Sequence, residues 1–188
     1  MPSQQLIDKT RLLTETPLAE DASIEEIRAS YDGFGDLFPS DSGVVITDAS
    51  MGSVKAYVLE PKQVENDRTV VFFHGGGYAI GSLRSHEMIV TRLANWGKCR
   101  IWFPIYRLAP EHVFPAAIDD CVQAWKWLLS TGTDPSKVAF AGDSAGGGII
   151  YSVMLRAKEM GLAQPACGWS ICPWSDMEGH GAWRDTPE

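Results

Sequence analysis

The sequence predicts an α/β protein with a mostly parallel central sheet that is covered by helices on both faces. From residue 69 onward, short apolar runs of strand character alternate with segments of helical periodicity. Glycine-rich stretches follow two of these runs, at HGGG (74–77) and GDSAGGG (142–148). The 188 residues are 45% hydrophobic and 21% charged, which is sufficient apolar content for one sizeable core.

The first elements precede this alternating region. Ser23 and Glu26 have the spacing of a capping box, and the apolar residues that follow recur at helical spacing, so a helix is predicted from residue 23. The extended runs GVVITDA and VKAYVLE then predict a strand, a turn and a second strand.

The remaining elements alternate along the chain. Each apolar run is followed by a turn signal and then by a helical pattern, as in a parallel sheet. The predicted strands are 69–73, 99–106, 136–142 and 166–174, and the predicted helices are 85–97, 114–132 and 144–161. Gly97 is expected to close the first of these helices, and Pro115 to lie in the first turn of the second.

Charge and hydropathy exclude several classes of function. The net charge is −8 and no cluster of Lys or Arg occurs, which argues against a nucleic-acid partner. No run approaches 18 apolar residues, so no membrane span is expected. The N-terminal MPSQQLIDKTRLL lacks the apolar core of a signal peptide, which predicts a cytoplasmic location.

The four cysteines fit that compartment. Cys99, Cys121, Cys167 and Cys172 all fall in apolar or periodic segments, so buried free thiols are expected. Cys167 and Cys172 have no second cluster beside them, and no metal site is predicted.

Ser144 is the candidate nucleophile. It lies between Gly142 and Gly146, after a predicted strand and before a predicted helix, which is the context in which G-x-S-x-G forms a sharp turn that exposes the serine. The N–H of Ala145, at the start of the helix, would point at the atom that the serine attacks. Tight packing alone would also explain glycines here, so the motif by itself leaves both interpretations open.

The glycines of HGGGY (74–78) support the catalytic interpretation. Glycine lets backbone N–H groups approach an oxyanion without an intervening side chain, and Gly75 and Gly76 are the predicted donors, with Gly77 supporting them. The alternative is a phosphate-binding loop, but no Lys-Ser/Thr pair follows at P-loop spacing.

Three motifs, HGGG, YRLAPEHVFPAAIDD and GDSAGGG, together resemble those of the hormone-sensitive-lipase-like esterases of the α/β-hydrolase fold. The resemblance covers residues 23–176. It implies that Ser144 attacks short- to medium-chain acyl esters without a cofactor, and that the N–H groups of Gly75, Gly76 and Ala145 form the oxyanion hole. It also implies an N-terminal helical lid over residues 1–40, with residues 41–188 forming the N-terminal part of the catalytic domain.

The base that should activate Ser144 is not evident. His74 opens the oxyanion loop and is expected to hold it by hydrogen bonds, and the resemblance assigns His112 a structural position. His86 at a helix start and His180 in a polar tail are the remaining histidines. In the resembled family the acid and the histidine lie beyond this region, so both are expected on a segment absent from this chain.

Two aspartates lie near the predicted site. Asp176, just after the last predicted strand, could orient a histidine, although closing a strand is the simpler interpretation. Asp143, beside the nucleophile, is expected to stabilise the turn.

The last predicted strand, CGWSICPW, would be an exposed edge and the fold incomplete at its C-terminal side. A companion C-terminal segment or a second copy is therefore expected to cover it. Two alternatives to the esterase stay open: an inactive truncated product, and a receptor-like binder of small molecules on the same fold.

Overall fold

The structure, a computed structural model, describes residues 2–4, 7–8, 10–11, 19, 21–64 and 67–178. Its main helices are α1 (Ile24–Gly35), α2 (Leu83–Gly97), α3 (Ala116–Ser130) and α4 (Ala145–Glu159). Its strands are β1 (Val44–Met51), β2 (Val54–Pro61), β3 (Thr69–Phe73), β4 (Arg100–Pro104), β5 (Val138–Asp143) and β6 (Cys167–Ile171).

One sheet organises the domain, with the strand order β1-β2-β4-β3-β5-β6. β1 pairs with β2, and β2 with β4, in antiparallel fashion. The pairs β3–β4, β3–β5 and β5–β6 are parallel. The prediction of a mostly parallel sheet is therefore confirmed, and the ends of β3 and β5 lie side by side because Phe73 is in register with Gly142.

Helices cover both faces of this sheet, as predicted. Val71 and Phe73 point to one face, where they pack in a core with residues of α3 and α4. Phe72, between them, points to the other face and packs in a second core with α2. This alternation follows from the two-residue period of a strand, and burial on both faces explains why residues 70–73 of β3 are all apolar.

The helix ends differ in detail from the predictions. Ser23 and Glu26 form the predicted capping box, with the Glu26 N–H donating to Ser23 Oγ at 3.2 Å. α2 begins two residues earlier than predicted because Ser82 caps it, and Lys98 rather than Gly97 takes the left-handed conformation at its end. Pro115 is the N-cap of α3 and lies outside its first turn.

β6 is the edge of the sheet, as predicted: within the described residues it pairs with β5 alone. The expectation that all four cysteines are buried is wrong for Cys167 and Cys172, which are exposed, whereas Cys99 and Cys121 are buried free thiols. The difference arises because Cys167 and Cys172 lie on and just after this edge strand. None of the helices in the described part of the chain has the length and hydropathy needed to span a membrane.

Candidate active site

Ser144 lies on a strained turn between β5 and α4. Its φ is 51° and its ψ is −119°, a region of backbone conformation that non-glycine residues rarely adopt. Three backbone hydrogen bonds hold it there: its N–H donates to Ile171 at 2.9 Å, and its carbonyl accepts from Trp174 at 2.8 Å and Gly148 at 3.1 Å. The side chain is partly exposed at the carboxyl end of the sheet.

The glycines on either side of Ser144 make the turn sterically feasible. A Cβ on Gly146 would overlap the carbonyl oxygens of Phe73 and His74, and one on Gly142 would lie 2.5 Å from Phe73 O. The end of β3 therefore packs directly against the turn, and a larger residue at either position would separate the two strands or distort Ser144.

The oxyanion loop, Gly75–Gly77, follows β3 and lies beside this turn. Gly76 has φ +113°, and a Cβ there would overlap the carbonyl of Ile80, so the loop requires glycine at this position. Among the described residues, the N–H groups of Gly76, Gly77 and Ala145 make no backbone hydrogen bond outside the helices and strands.

Gly75 differs from its neighbours because its N–H has protein acceptors. It donates to Asp143 Oδ1 at 3.1 Å and lies 3.2 Å from His86 Nε2. The Gly75 N–H, predicted as an oxyanion donor, is thus already hydrogen-bonded to the carboxylate of the residue before Ser144. Glycine is required there for another reason: a Cβ would overlap the Asp143 carboxylate.

His74 is buried beneath the loop. Its Nδ1 lies 2.7 Å from the carbonyl of Gly75, and Tyr106 donates a hydrogen bond to the His74 carbonyl at 2.7 Å. The His74 ring stacks on Tyr106, with ring centroids 4.2 Å apart. Burial, together with the nearby His86 ring, lowers the pKa of His74 to about 3. A neutral, enclosed ring of this kind suits the support of the loop rather than proton transfer to a substrate.

His86 lies in the first turn of α2, buried, with Nε2 3.3 Å from Asp143 Oδ1. Sequence reasoning assigned it no role. Although burial raises the pKa of Asp143, the hydrogen bond and the charge of His86 outweigh that effect and hold this pKa below its ordinary value. Asp143 is therefore an ionised carboxylate at neutral pH.

The other candidates for acid and base are elsewhere. His112 is exposed beside a cavity, and Asp176 accepts a hydrogen bond from the N–H of Glu178 at 3.1 Å. His180 is outside the described residues. Among the residues that the structure does describe, no histidine is hydrogen-bonded to the Ser144 hydroxyl.

An apolar cavity of about 540 Å³ opens beside Tyr78, the residue that follows the oxyanion loop. α3 and α4 contribute Ile118 and Ser152 to its wall, and Phe114 and Met177 complete much of the rest. The ring centroids of Tyr78 and Trp174 lie 6.1 Å apart, and the Trp174 ring also borders Gly77.

Arg28 connects α1 to the site, and no feature of the sequence pointed to it. Its guanidinium donates to the carbonyls of Ala79 and Ala109, both at 2.8 Å, and pairs with Glu111 at 2.7 Å. Ala79 lies two residues after the oxyanion loop, and Ala109 is part of the wall of the cavity. One side chain therefore fixes an N-terminal helix against both segments.

A serine on a strained strand-to-helix turn, beside a glycine loop at the end of the neighbouring parallel strand, is the arrangement of an α/β hydrolase. The chain belongs to the family described as alpha/beta hydrolase fold, which matches residues 70–187. Within that fold it is a hormone-sensitive-lipase-like member, as the sequence predicted.

The relatives support this placement. An acetyl-hydrolase of Streptomyces hygroscopicus is 34% identical over 87% of this chain and 54% of its own length. The carboxylesterase NlhH of Mycobacterium tuberculosis is 34% identical over 80% of this chain and 44% of its own. The chain thus spans about half the length of the curated relatives it matches.

Solved structures agree. An esterase from the bacterial hormone-sensitive lipase family superposes with a TM-score of 0.88 at 34% identity, over 96% of this chain and 61% of that one. A hormone-sensitive lipase from a metagenome library gives a TM-score of 0.85 at 35% identity, over 95% and 60%.

Proposed function

We propose that this chain is the N-terminal part of a serine carboxylesterase that hydrolyses short- to medium-chain acyl esters through an acyl-enzyme intermediate. Ser144 is the nucleophile, and the catalytic acid and histidine lie on a segment outside these residues. The single observation that carries the proposal is the conformation of Ser144, at φ 51° and ψ −119° between β5 and α4. Backbone strain of this kind, about 1–3 kcal/mol, persists where the surrounding structure over-determines it, which is commonly at an active site.

The oxyanion hole consists of the N–H groups of Gly76, Gly77 and Ala145. Attack on an ester carbonyl creates an alkoxide, and fixed donors stabilise that charge by about 3 kcal/mol each. These N–H groups make no backbone hydrogen bond outside the helices and strands among the described residues, which supports their assignment. Gly75 supports the loop instead, because its N–H donates to Asp143 Oδ1.

The base comes from outside the described residues. A serine hydroxyl needs a general base within hydrogen-bond distance to lose its proton. His74 is enclosed under the loop and His86 is engaged with Asp143, so neither is placed to accept that proton. The relatives' greater length supports a further segment that supplies both the acid and the histidine.

The substrate is a small ester with an apolar group, and no cofactor takes part. The cavity beside Tyr78 has mostly apolar walls and a volume of about 540 Å³, which would accommodate such a group. The 1–40 segment serves as the lid of this site, and the bonds from Arg28 to the carbonyls of Ala79 and of Ala109, which lines the cavity, support that role.

A receptor-like binder on the same fold is the second candidate, because a glycine loop with available N–H groups would also bind a carboxylate or carbonyl of a ligand. A measurement of substrate turnover distinguishes the esterase from the binder. A binder would retain ligand affinity without any dependence on the Ser144 hydroxyl.

The test compares Ser144→Ala with Ser130→Ala in the full-length protein, using an activated acyl ester. Ser130 is the last residue of α3, outside the lining of the cavity, and its hydroxyl donates to Trp127 O at 2.7 Å. We expect Ser144→Ala to lower kcat by up to about 10⁶-fold, as for other serine nucleophiles, while Ser130→Ala keeps most of it. If Ser144→Ala retains more than about a thousandth of the wild-type rate, the chemistry lies elsewhere.

A further inference from the structure

We propose that Asp143 and His86 form a positioning pair that holds the oxyanion loop in register with the nucleophile. The inference rests on the proposed function, because positioning has a kinetic consequence only if Gly76 and Gly77 stabilise an oxyanion. Neither side chain touches the reacting atoms; both act through the backbone of Gly75.

The contact joins two loops that are distant in sequence. Asp143 immediately precedes Ser144, and Gly75 immediately precedes Gly76. The hydrogen bond from Gly75 N–H to Asp143 Oδ1, 3.1 Å long, therefore connects the neighbour of the nucleophile to the neighbour of an oxyanion donor across 68 positions of the chain. A displacement of the Asp143 side chain would change the distance between the attacking oxygen and the donors that serve it.

His86 fixes the orientation of the Asp143 carboxylate. Its side chain is only 6% exposed and its Nε2 lies 3.3 Å from the same oxygen, Asp143 Oδ1. The ring is fixed in turn by the first turn of α2, where Nδ1 lies 2.9 Å from Ser85 Oγ and 3.2 Å from the Ser82 carbonyl. Ser82 and Ser85 also form the capping box of that helix, so the start of α2 sets the position of the pair.

The ionisation of Asp143 makes the connection stronger. Burial raises its pKa, but His86 and the Gly75 N–H together hold that pKa below the ordinary value. A hydrogen bond to an ionised carboxylate is roughly twice as strong as one between neutral groups. The close packing of the Asp143 carboxylate on Gly75, where a Cβ could not fit, leaves the loop little room to move.

A positioning role predicts a change in kcat with little change in KM. Donors aimed at a developing charge matter most in the transition state, and a displacement of about 1 Å can cost about 10²-fold in rate. A residue that merely stabilises the fold would instead lower the melting temperature and the fraction of active protein without a selective effect on kcat.

The kinetic experiment uses Asp143→Ala and Asp143→Asn in the full-length protein. Asn keeps an oxygen that can accept the Gly75 N–H, whereas Ala keeps none. We expect kcat to fall by about 10²-fold in the Ala variant, while KM stays within about threefold of wild type. The kcat of the Asn variant should be at least about tenfold higher than that of the Ala variant. Equal losses in the two variants, or a loss confined to KM, would overturn the proposal.

The matched control is Asp120→Ala. Asp120 also accepts a backbone N–H, that of Arg107 at 2.9 Å, but it lies on α3 away from the loop. We expect its kcat to stay within about threefold of wild type. His86→Ala and His86→Gln repeat the comparison from the other partner, which keeps the test decisive should Asp143→Ala fail to fold.

A second readout needs no turnover. In ¹⁵N-labelled protein the amide proton of Gly75 should move upfield in both Asp143→Ala and His86→Ala, while that of Gly132, beyond the end of α3, should not move. If this shift occurs but turnover does not depend on Ser144, the proposed function fails and the connection between the loops stands. If the enzyme is active and the chemical shift of the Gly75 amide proton changes in neither variant, the positioning pair is refuted and the proposed function stands.

Discussion

Ser144 adopts an unfavourable backbone conformation that its neighbours enforce. Its N–H and carbonyl bond to Ile171 and Trp174, on the next strand and the segment after it, and these bonds offset a cost of about 1–3 kcal/mol. The backbone alone therefore holds the Ser144 hydroxyl at the carboxyl end of the sheet. This explains why glycines at 142 and 146, which let β3 approach, matter as much as the serine itself.

His74 allows a prediction about acid stability. Because burial lowers its pKa to about 3, the folded state cannot take up a proton that the unfolded state takes up below about pH 6.5. Its contribution to stability is therefore complete above pH 6.5 and is lost as the pH falls from 6.5 toward 3, by at most about 1.4 kcal/mol per pH unit.

The measurement is urea unfolding at pH 7 and pH 4.5 for wild type and His74→Gln. Gln cannot titrate, so the variant should lose less free energy of unfolding between the two pH values than wild type does, whatever its stability at pH 7. Equal losses would mean that His74 is protonated in the folded state.

At the scale of single residues, the sequence predicted Ser144 and the glycine loop because their chemistry depends on local motifs. It did not predict the bonding of Gly75, since the partner of a backbone N–H depends on which side chain the fold brings to it. Asp143, predicted as a support of the turn, bonds to Gly75 on the neighbouring loop.

At the scale of secondary structure, Arg28 is one of the side chains that anchor α1, together with Asp32, which accepts a hydrogen bond from Ser82 Oγ at 2.6 Å. Arg28 makes charge-assisted hydrogen bonds to the carbonyls of Ala79 and Ala109, and hydrogen bonds to charged groups contribute about 1.5–3 kcal/mol. We expect Arg28→Ala to lower the free energy of unfolding by about that amount and to speed amide exchange throughout α1.

The control is Arg100→Ala, which removes an exposed ion pair with Glu60 on the sheet and should cost less than about 1 kcal/mol. Urea unfolding and hydrogen exchange by mass spectrometry report both variants. A similar small loss in the two would show that the other contacts of α1, including the Ser82–Asp32 hydrogen bond, hold it instead.

The elements themselves were largely predictable, because period-2 and period-3.6 patterns are local. The ends of the helices were less predictable. For example, α2 begins at Leu83 because Ser82 and Ser85 form a capping box at its start, and the apolar pattern does not encode this pairing. The role of Arg28 could not be predicted from local patterns, because the two carbonyls that it bonds lie 51 and 81 positions away in the chain.

At the scale of the whole molecule, β6 leaves one side of the sheet unpaired within the described residues. Trp169, on this strand, is 54% exposed. Exposed apolar edge strands pair readily with other chains. We therefore expect the 188-residue chain by itself to self-associate, and Trp169→Lys to raise the monomer fraction in sedimentation velocity.

Trp96→Lys is the matched control, because Trp96 is 78% exposed but lies on α2, away from the edge. It should leave the association unchanged. A wild-type chain that sediments as a monomer would contradict the expected self-association, and an equal response to both substitutions would place the interface elsewhere.

The central claim is that Ser144 is an activated nucleophile. The most direct measurement is peptide mapping of the full-length protein after reaction with a fluorophosphonate, with Ser144→Ala treated in parallel. The account predicts one phosphonyl adduct, on the peptide that contains Ser144, formed together with the loss of ester hydrolysis and absent from the variant. An adduct on another residue, or full hydrolysis with Ser144 unmodified, would contradict it.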